Sequence, residues 1–334
     1  MSLPFEVPGP AYRVRQVSDW IYKRFATRFD EMTNLPVSLR EELTASVGAV
    51  RPDPIAVREA DEGDTVKALF PGSYEVVAMR YRDGRRTVCV SSQAGCGLGC
   101  TFCATGQMGL IRNLDAFEIV AQVLWAGAVF GVRPTNVVFM GMGEPLANYD
   151  AVLDAVRSIH EDVGISARRI VVSTVGLVPQ IERLANEPLP LTLALSLHAP
   201  DDETRTKLVP VNKRWPVADC IAVAKAFRRA HGRRVSIEYA LIAETNDHPW
   251  QAEALGELLR GTDIHVNVIP LNPTPGFGVP ASTRVQAFAD EVRRAGANVT
   301  IRDTRGRDID AACGQLATEM SGKATSARRA AGAG

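Results

Sequence analysis

The sequence predicts an α/β fold: an open, partial (β/α)6 barrel preceded by a small N-terminal helical domain and a β-hairpin extension. Three observations carry this expectation. Short runs rich in β-branched residues recur with helix-length spacers between them, the pattern of a parallel sheet buried on both faces. Six such runs are found, with a seventh candidate, where a closed (β/α) barrel needs eight. A cysteine cluster in a glycine-rich loop directly follows the first of them.

Taken in order, Val14, Val17, Ile21 and Phe25 recur at steps of three and four and predict an amphipathic helix, and PVSLREEL predicts the start of a second. From about Asp53 to Val90 the runs KALF, YEVVAM and RTVCVSS, broken by Gly72 and by Asp83-Gly84, predict a hairpin region. The barrel strands are expected at 87–92, 136–140, 169–173, 191–197, 235–241 and 265–270, with 298–302 as a seventh edge strand. Helices are expected to begin near Ala116, Asp150, Val178, Val217 and Trp250. The division this implies is 1–50 for an accessory helical domain, 51–86 for the hairpin, 87–316 for the barrel and 317–334 for a disordered tail rich in Ala, Gly, Arg and Ser.

Length and composition agree with two domains' worth of ordinary globular chain: 334 residues, 46% hydrophobic, 38 Lys+Arg against 38 Asp+Glu. With no net charge, no global field draws the chain to a polyanion, so any nucleic-acid site is a local patch. The opening MSLPFEVPGP lacks a basic region followed by an apolar core, and Ile119–Phe130 is too short to span a bilayer. A cytoplasmic address is expected. In a reducing compartment six cysteines point to metal or redox chemistry rather than a disulfide framework.

The most informative stretch is SSQAGCGLGCTFCATGQMGL, in which Cys96, Cys100 and Cys103 form C-x3-C-x2-C. Three thiolates in one glycine-rich loop can hold one face of a 4Fe-4S cluster and leave an iron open for an exogenous ligand. A zinc site needs a fourth ligand; the next histidine is His160, and Cys89 lies seven residues upstream at strand spacing. Gly95, Gly97 and Gly99 supply open backbone that lets amide donors approach sulfur.

In such a barrel the carboxyl ends of the other strands carry the polar groups of the site. GMGEP (Gly141–Pro145) follows the second strand, with glycines permitting close approach and Glu144 able to accept from an ammonium; Ser173, Ser196, His198 and Asn272 stand at or just past later strand ends. Taken singly, each also reads as a turn, a cap or a structural histidine; GMGEP is not the GxGxxG of a dinucleotide fold. Cys220, among apolar helix neighbours, reads as a core residue. Cys89 reads as a small strand hydrophobe, whereas Cys313 in GRDIDAACGQ has no apolar periodicity around it; two separated thiols near a cluster also suit covalent catalysis, one attacking and the other resolving.

The C-x3-C-x2-C loop at the end of the first strand of a partial barrel resembles the radical S-adenosylmethionine superfamily. The blocks EMTNLP, VCVSSQAGCGLGCTFCATGQMGLIRNL, MGMGEPLANY, STVGLVPQI, SLHAPDDETRTKLVPVN, IPLNP and TRGRDIDAACGQL, spread over nearly the whole chain, resemble the RlmN/Cfr family of radical RNA methyltransferases within it. The resemblance implies that Cys96, Cys100 and Cys103 bind a 4Fe-4S cluster, and that Gly143, Glu144, Ser173, Ser196, Leu197, His198 and Asn272 line the S-adenosylmethionine site. It implies that Cys313 carries the methyl group as S-methylcysteine and forms a thioether to RNA, that Cys89 resolves this adduct and leaves a disulfide with Cys313, and that Glu75 is the base for the ring proton. The segment RYRDGRR between Glu75 and Cys89 is one residue longer than the family spacing, a difference the Asp83-Gly84 turn can absorb.

The implied substrates are 23S rRNA and tRNA, methylated at adenine carbon 2 with two S-adenosylmethionine per turnover; methylation at carbon 8 is the nearest alternative, and a non-catalytic iron-sulfur or zinc RNA-binding module the more distant one. The helical N-terminus and GQMGLIRNL are more like the carbon-2 branch. A flavodoxin- or ferredoxin-type electron donor and a monomeric state are also implied. Candidate RNA-contacting clusters are Arg13, Arg15, Lys23 and Arg24; Arg80–Arg86; Lys213 with Arg214; and Arg302–Arg307.

Overall fold

The computed structural model describes residues 3–272, 274, 277–302, 306–312 and 314–316. Cys313 and the expected tail, 317–334, lie outside the described residues.

The N-terminal segment forms α1 (Ala11–Tyr22) and α2 (Val37–Val47). Val17 and Ile21 are buried as the periodicity predicts, but α1 stops at Tyr22, and Phe25 lies beyond it at φ 59°. Phe25 is buried all the same, because its ring lies over Gly127; a Cβ there would come within 2.5 Å of the ring. The residues buried by this segment fall in the same apolar cluster as those of the barrel, so the helices are docked onto the main core.

Next come β1 (Ala56–Ala60), β2 (Thr65–Phe70), β3 (Tyr74–Arg80), β4 (Arg86–Cys89) and β5 (Gln93–Cys96), then α3 (Ala104–Met108), β6 (Gly109–Asn113), α4 (Ala116–Phe130) and β7 (Asn136–Phe139). The chain continues through α5 (Tyr149–Ser158), β8 (Ile170–Thr174), α6 (Val178–Leu184), β9 (Thr192–Ser196), α7 (Asp202–Leu208), α8 (Val217–His231) and β10 (Val235–Leu241). It closes with α9 (Pro249–Leu259), β11 (His265–Pro270), α10 (Val285–Arg294) and β12 (Asn298–Ile301).

Ten strands form one sheet in the order β1-β2-β3-β4-β7-β8-β9-β10-β11-β12. From β4 to β12 neighbours are parallel, and α4, α5, α6, α8, α9 and α10 each lie in a connection between successive strands. The seventh strand is present as β12, paired in parallel with β11, and β12 and β1 stand at opposite ends of an open sheet. All seven residues of β10 are buried, as a strand covered on both faces requires.

The hairpin region extends that same sheet. β1, β2 and β3 are antiparallel, and β3 pairs antiparallel with β4 in an unbroken ladder from Arg80–Arg86 to Val77–Cys89. In the turn between β3 and β4, Gly84 adopts φ 83° and Asp83 accepts from the Arg85 amide. β2 is buried throughout, with Phe70 packed edge-on against Trp125 of α4.

The first barrel strand is shorter than its apolar run. The ladder runs to Cys89 and Val90 still donates to the Val138 carbonyl (2.9 Å), but at Ser91 the buried Gln122 side chain takes over, accepting from the Ser91 amide (2.8 Å) and donating to the Ser91 carbonyl (2.9 Å). The chain then enters a separate two-stranded sheet, β5 with β6, which sequence patterning did not predict. Gln122 is held by α4, whose start carries a reciprocal cap between Asp115 and Glu118 and whose end turns at Gly131 (φ 67°). Its fully buried Ile119, Val123 and Leu124 each contribute about 1.5–3 kcal/mol of transfer free energy. Among the described residues, no helix is long and apolar enough to cross a membrane.

Candidate active site

The three clustered cysteines occupy the connection of the β5–β6 hairpin. Cys96 ends β5, Cys100 is buried in the loop, and Cys103 precedes the first turn of α3. Gly95 has φ 71°, and a Cβ on it would lie 2.0 Å from the Gly109 carbonyl, so this glycine lets the partner strand approach. The amides that reach sulfur are those of Leu98 to Cys96 and of Thr105 and Gly106 to Cys103. Burial pushes the Cys96 thiol up to about 11 and raises Cys100 and Cys103 as well; Cys103 adds to the rise at Cys96 and Cys100. As free thiols all three therefore keep their protons at neutral pH, and a metal must displace them.

The donor set suits an iron-sulfur cluster: three soft sulfurs within one another's field, with amide donors on two of them. Among the described residues, no group of three or more His, Cys, Asp or Glu side chains is arranged to hold a metal ion. A polynuclear cluster asks only that each cysteine reach a separate corner.

Cys100 and Cys103 open onto a cavity of about 140 Å³ at the carboxyl ends of the parallel strands. Gly143, Glu144, Ser173, Ser196, His198 and Asn272 line it, as expected; Leu197 and Cys96 are not among its lining residues. Glu144 is buried, its Oε1 accepting from the Leu146 amide (3.0 Å) and its Oε2 from Val175 (2.9 Å). Burial pushes this carboxyl up to about 7, against the pull of those amides. Gly143 has φ 94°, and a Cβ there would strike Gln93, whose side-chain carbonyl accepts from the Glu144 amide.

His198 combines its two sequence readings. Nδ1 accepts from the Ala240 amide (3.0 Å), which leaves the ring proton on Nε2, and the ring packs edge-on against Phe102 while lining the cavity. Burial, aided by the nearby Arg205 charge, lowers its pKa to about 3. His198 is thus a neutral donor and not an acid-base group at working pH.

Two residues of this site escaped sequence reasoning. Arg205 is fully buried and donates to the carbonyls of Leu197 (3.0 Å), Val175 (2.5 Å), Ser196 (3.4 Å) and Trp215 (3.3 Å) and to Asn212 Oδ1 (2.6 Å). It ties together the turns after β8 and β9, and the Leu197 carbonyl is one of its acceptors. Nothing in DDETRTKL distinguishes this arginine from a solvated one. Glu238 lies in the fully buried β10, accepts from Ser236 (2.7 Å) and Asn267 (2.9 Å), and faces Arg302 at 3.9 Å on the cavity wall. A lone carboxylate in a buried strand was the available signal.

Glu75 and Cys89 are not among the cavity-lining residues. Cys89 is half-buried at the end of β4. Glu75 is 1% exposed, which rules out a surface carboxylate, and its Oε1 pairs with Lys67 Nζ at 3.2 Å. The segment around position 313 docks between these strands and the cysteine loop. The Gly306 amide donates to Asp61 (3.1 Å) and Lys67 to the Asp310 carbonyl (3.1 Å). Beyond 313, the Gly314 carbonyl accepts from Ala104 (2.9 Å) and the Leu316 carbonyl from Thr105 (2.6 Å). The five described cysteines are free thiols; the implied Cys89–Cys313 disulfide involves a residue outside the described set. Cys220 is a core residue, as expected.

Part of the expected basic surface is engaged within the protein. Lys23 donates to the Asp162 carbonyl, Arg80 to Val129, and Arg85 pairs with Asp83. Arg13 lies over Tyr12 and Arg24 over Trp20, giving α1 a cationic and aromatic surface.

Residues 90–255 match the model of the radical SAM superfamily, whose members use a 4Fe-4S cluster and S-adenosylmethionine, and residues 6–48 match that of a ribosomal RNA large subunit methyltransferase N-terminal domain. The chain is 51% identical over 334 residues to a probable dual-specificity RNA methyltransferase RlmN of Salinispora tropica, with 95% of this chain and 90% of the relative covered. A relative of the same name from Mycobacterium sp. (strain KMS) is 51% identical over 343 residues, with 94% and 91% covered. A radical SAM methyltransferase from Sphaerobacter thermophilus superposes with a TM-score of 0.88 at 48% identity, covering 93% of this chain and 94% of that one. On cysteine loop, sheet and full-length similarity alike, the chain belongs to the RlmN family of radical SAM RNA methyltransferases.

Proposed function

We propose that the protein methylates carbon 2 of adenosine in 23S rRNA, at the peptidyl-transferase centre, and in tRNA, beside the anticodon. Cys96, Cys100 and Cys103 hold the cluster. With the cluster in place, S-adenosylmethionine supplies a methyl group to a thiol in one half of the cycle and a 5′-deoxyadenosyl radical in the other. Glu144 receives the cosubstrate ammonium, Gly143 gives it room, and Ser173, Ser196, His198 and Asn272 complete the wall, with the Leu197 carbonyl fixed by Arg205.

Cys313 carries the methyl carbon, which loses a hydrogen atom to the radical and bonds to the adenine ring. Glu75 accepts the ring proton, and the adduct's odd electron returns to the electron-donor system. The Cys89 thiolate then attacks the Cys313 sulfur, the sulfur–carbon bond breaks and the carbon takes up a proton as the product methyl, leaving a Cys89–Cys313 disulfide that a reductant must open. The observation that carries this reading is the docking of Gly314 against Ala104, next to Cys103, while Lys67 on the far side bridges Asp310 and Glu75. Residues 1–50 then serve as an RNA-facing accessory domain, 51–86 as the extension that carries Glu75, and 87–316 as the barrel. The same reading takes a flavodoxin or ferredoxin as electron donor, a monomer as the working form and the cytoplasm as its place.

The test is nucleoside mass spectrometry after anaerobic reconstitution with reductant, labelled S-adenosylmethionine and unmethylated 23S rRNA or tRNA. 2-Methyladenosine from the native protein and none from Cys313→Ala is the expected result. 8-Methyladenosine reassigns the regiochemistry, and no product from protein with an intact cluster overturns the reading.

A further inference from the structure

Lys67 is a buried cation to which the proposed chemistry gives no part. It stands in the middle of β2 with its side chain 7% exposed, against a Glu75 side chain that is 2% exposed. Removing two such charges from water costs several kcal/mol per ion, and their attraction rarely returns more than that, so apolar residues of similar volume would stabilise the sheet as well or better. Val66, Ala68 and Phe70 on the same strand are buried apolar side chains. Stability alone therefore does not account for the pair.

The same ammonium also donates to the Asp310 carbonyl, 243 residues away. Asp310 has φ 53°, a left-handed conformation uncommon outside glycine, in the turn that presents this carbonyl. Three residues further on is Cys313. Glu75 is anchored from the opposite side as well: its carbonyl accepts from Ser91 Oγ (2.5 Å), and that oxygen in turn accepts from the Met142 amide (2.8 Å), adjacent to Gly143. Glu75 is thus held through its main chain toward the Met142–Gly143 turn and through its carboxylate, by way of Lys67, toward the segment that leads to Cys313.

We infer that Lys67 is a positioning residue for the base: it holds Glu75 ionised and ties it to the turn at Asp310. This rests on the assignment of Glu75 and Cys313 proposed above. A buried carboxylate with no cation beside it takes up a proton, and a protonated Glu75 has no vacancy for another. In the step concerned, the ring C–H bond breaks, the proton goes to Glu75 and the electron pair stays with the ring. Lys67 takes no part in the transfer and forms no bond to RNA.

The experiment compares wild type, Lys67→Met, Lys67→Arg, Glu75→Gln and the Lys67→Met/Glu75→Gln double variant by three readouts: S-methylation of the Cys313 peptide, denaturation-resistant protein–RNA conjugate, and released 2-methyladenosine. Lys67→Met is expected to keep Cys313 methylation within about twofold, because Asp61, Ala104 and Thr105 still hold the segment, while release falls at least tenfold and conjugate accumulates. Lys67→Arg is expected to restore most of the release. Unaltered release from Lys67→Met overturns the inference, as does loss of Cys313 methylation in step with release, which marks a tail anchor only. If Lys67→Met alone does not fold, the double variant decides, since it removes both charges. Release equal to that of Glu75→Gln supports the inference, and a further tenfold loss overturns it. A wild type that forms neither conjugate nor 2-methyladenosine defeats the underlying reading instead.

Discussion

The mouth of the parallel barrel and the antiparallel extension beside it hold functional groups in opposite ways. At the mouth, polar residues follow strand ends and are fixed by backbone groups of adjacent turns: Glu144 by the amides of Leu146 and Val175, His198 by that of Ala240, and the turns themselves by Arg205. In the extension, Glu75 and Lys67 lie within buried strands and are fixed by each other and by a carbonyl 243 residues from Lys67. The first region is assembled from successive strand-turn units. The second is complete only when the segment around Asp310 returns to β2, so the proposed cosubstrate cavity and the proposed base are separable in principle.

The strongest test of that separation is Arg205→Lys. A single ammonium cannot serve five acceptors spread over a planar fork, and each buried carbonyl left without a donor costs about 1–3 kcal/mol. The expected result is a loss of about 3 kcal/mol in urea unfolding, with S-adenosylmethionine affinity reduced at least tenfold. A change confined to RNA release, with affinity intact, breaks the proposed division between the two regions.

An intermediate effect is expected from pH. The Glu144 carboxyl is raised from 4.5 to about 7 in the folded protein, so it is neutral below that pH and anionic above it. Attraction for the cosubstrate ammonium is therefore present above about pH 7 and lost as pH falls through it, by up to tenfold per unit for a single coupled proton. Calorimetric binding from pH 5.5 to 8 is expected to show that slope and Glu144→Gln to flatten it. His198, lowered to about 3, adds no slope in this range.

The smallest effect is expected at the turn between β3 and β4. Asp83 and Arg85 pair on the exposed surface, where such a bridge is worth about 0–1 kcal/mol. Asp83→Ala is expected to leave thermal stability and methylation unchanged within error. A large loss of product release would mean that this turn sets the position of Glu75 after all.

What could be read along the chain was what local chemistry encodes. β-Branched apolar runs marked the parallel strands because a strand covered on both faces has no solvent side to alternate with, and three cysteines among glycines marked the metal loop. The β5–β6 hairpin was missed because GCGLGC carries no alternation; its pairing rests on a strand fitting against Gly95. Phe25 matched the helical period yet lies outside the helix, since Gly127 offers its ring a seat there. Arg205 and Lys67 look like solvated charges in sequence, because their partners, carbonyls for Arg205 and the Glu75 carboxylate with the Asp310 carbonyl for Lys67, are supplied by other parts of the fold.

The sequence by itself determined the class of fold and the family and singled out three clustered cysteines, since strand periodicity, cysteine spacing and motif order are properties of neighbours along the chain. Only the tertiary structure decided that Glu75 is a buried, ion-paired carboxylate, that His198 is neutral, that Glu144 titrates near neutrality, and that the segment flanking Cys313 lies between the extension and the cysteine loop. Those outcomes depend on burial and on partners far away in sequence, and neither exists until the chain is folded.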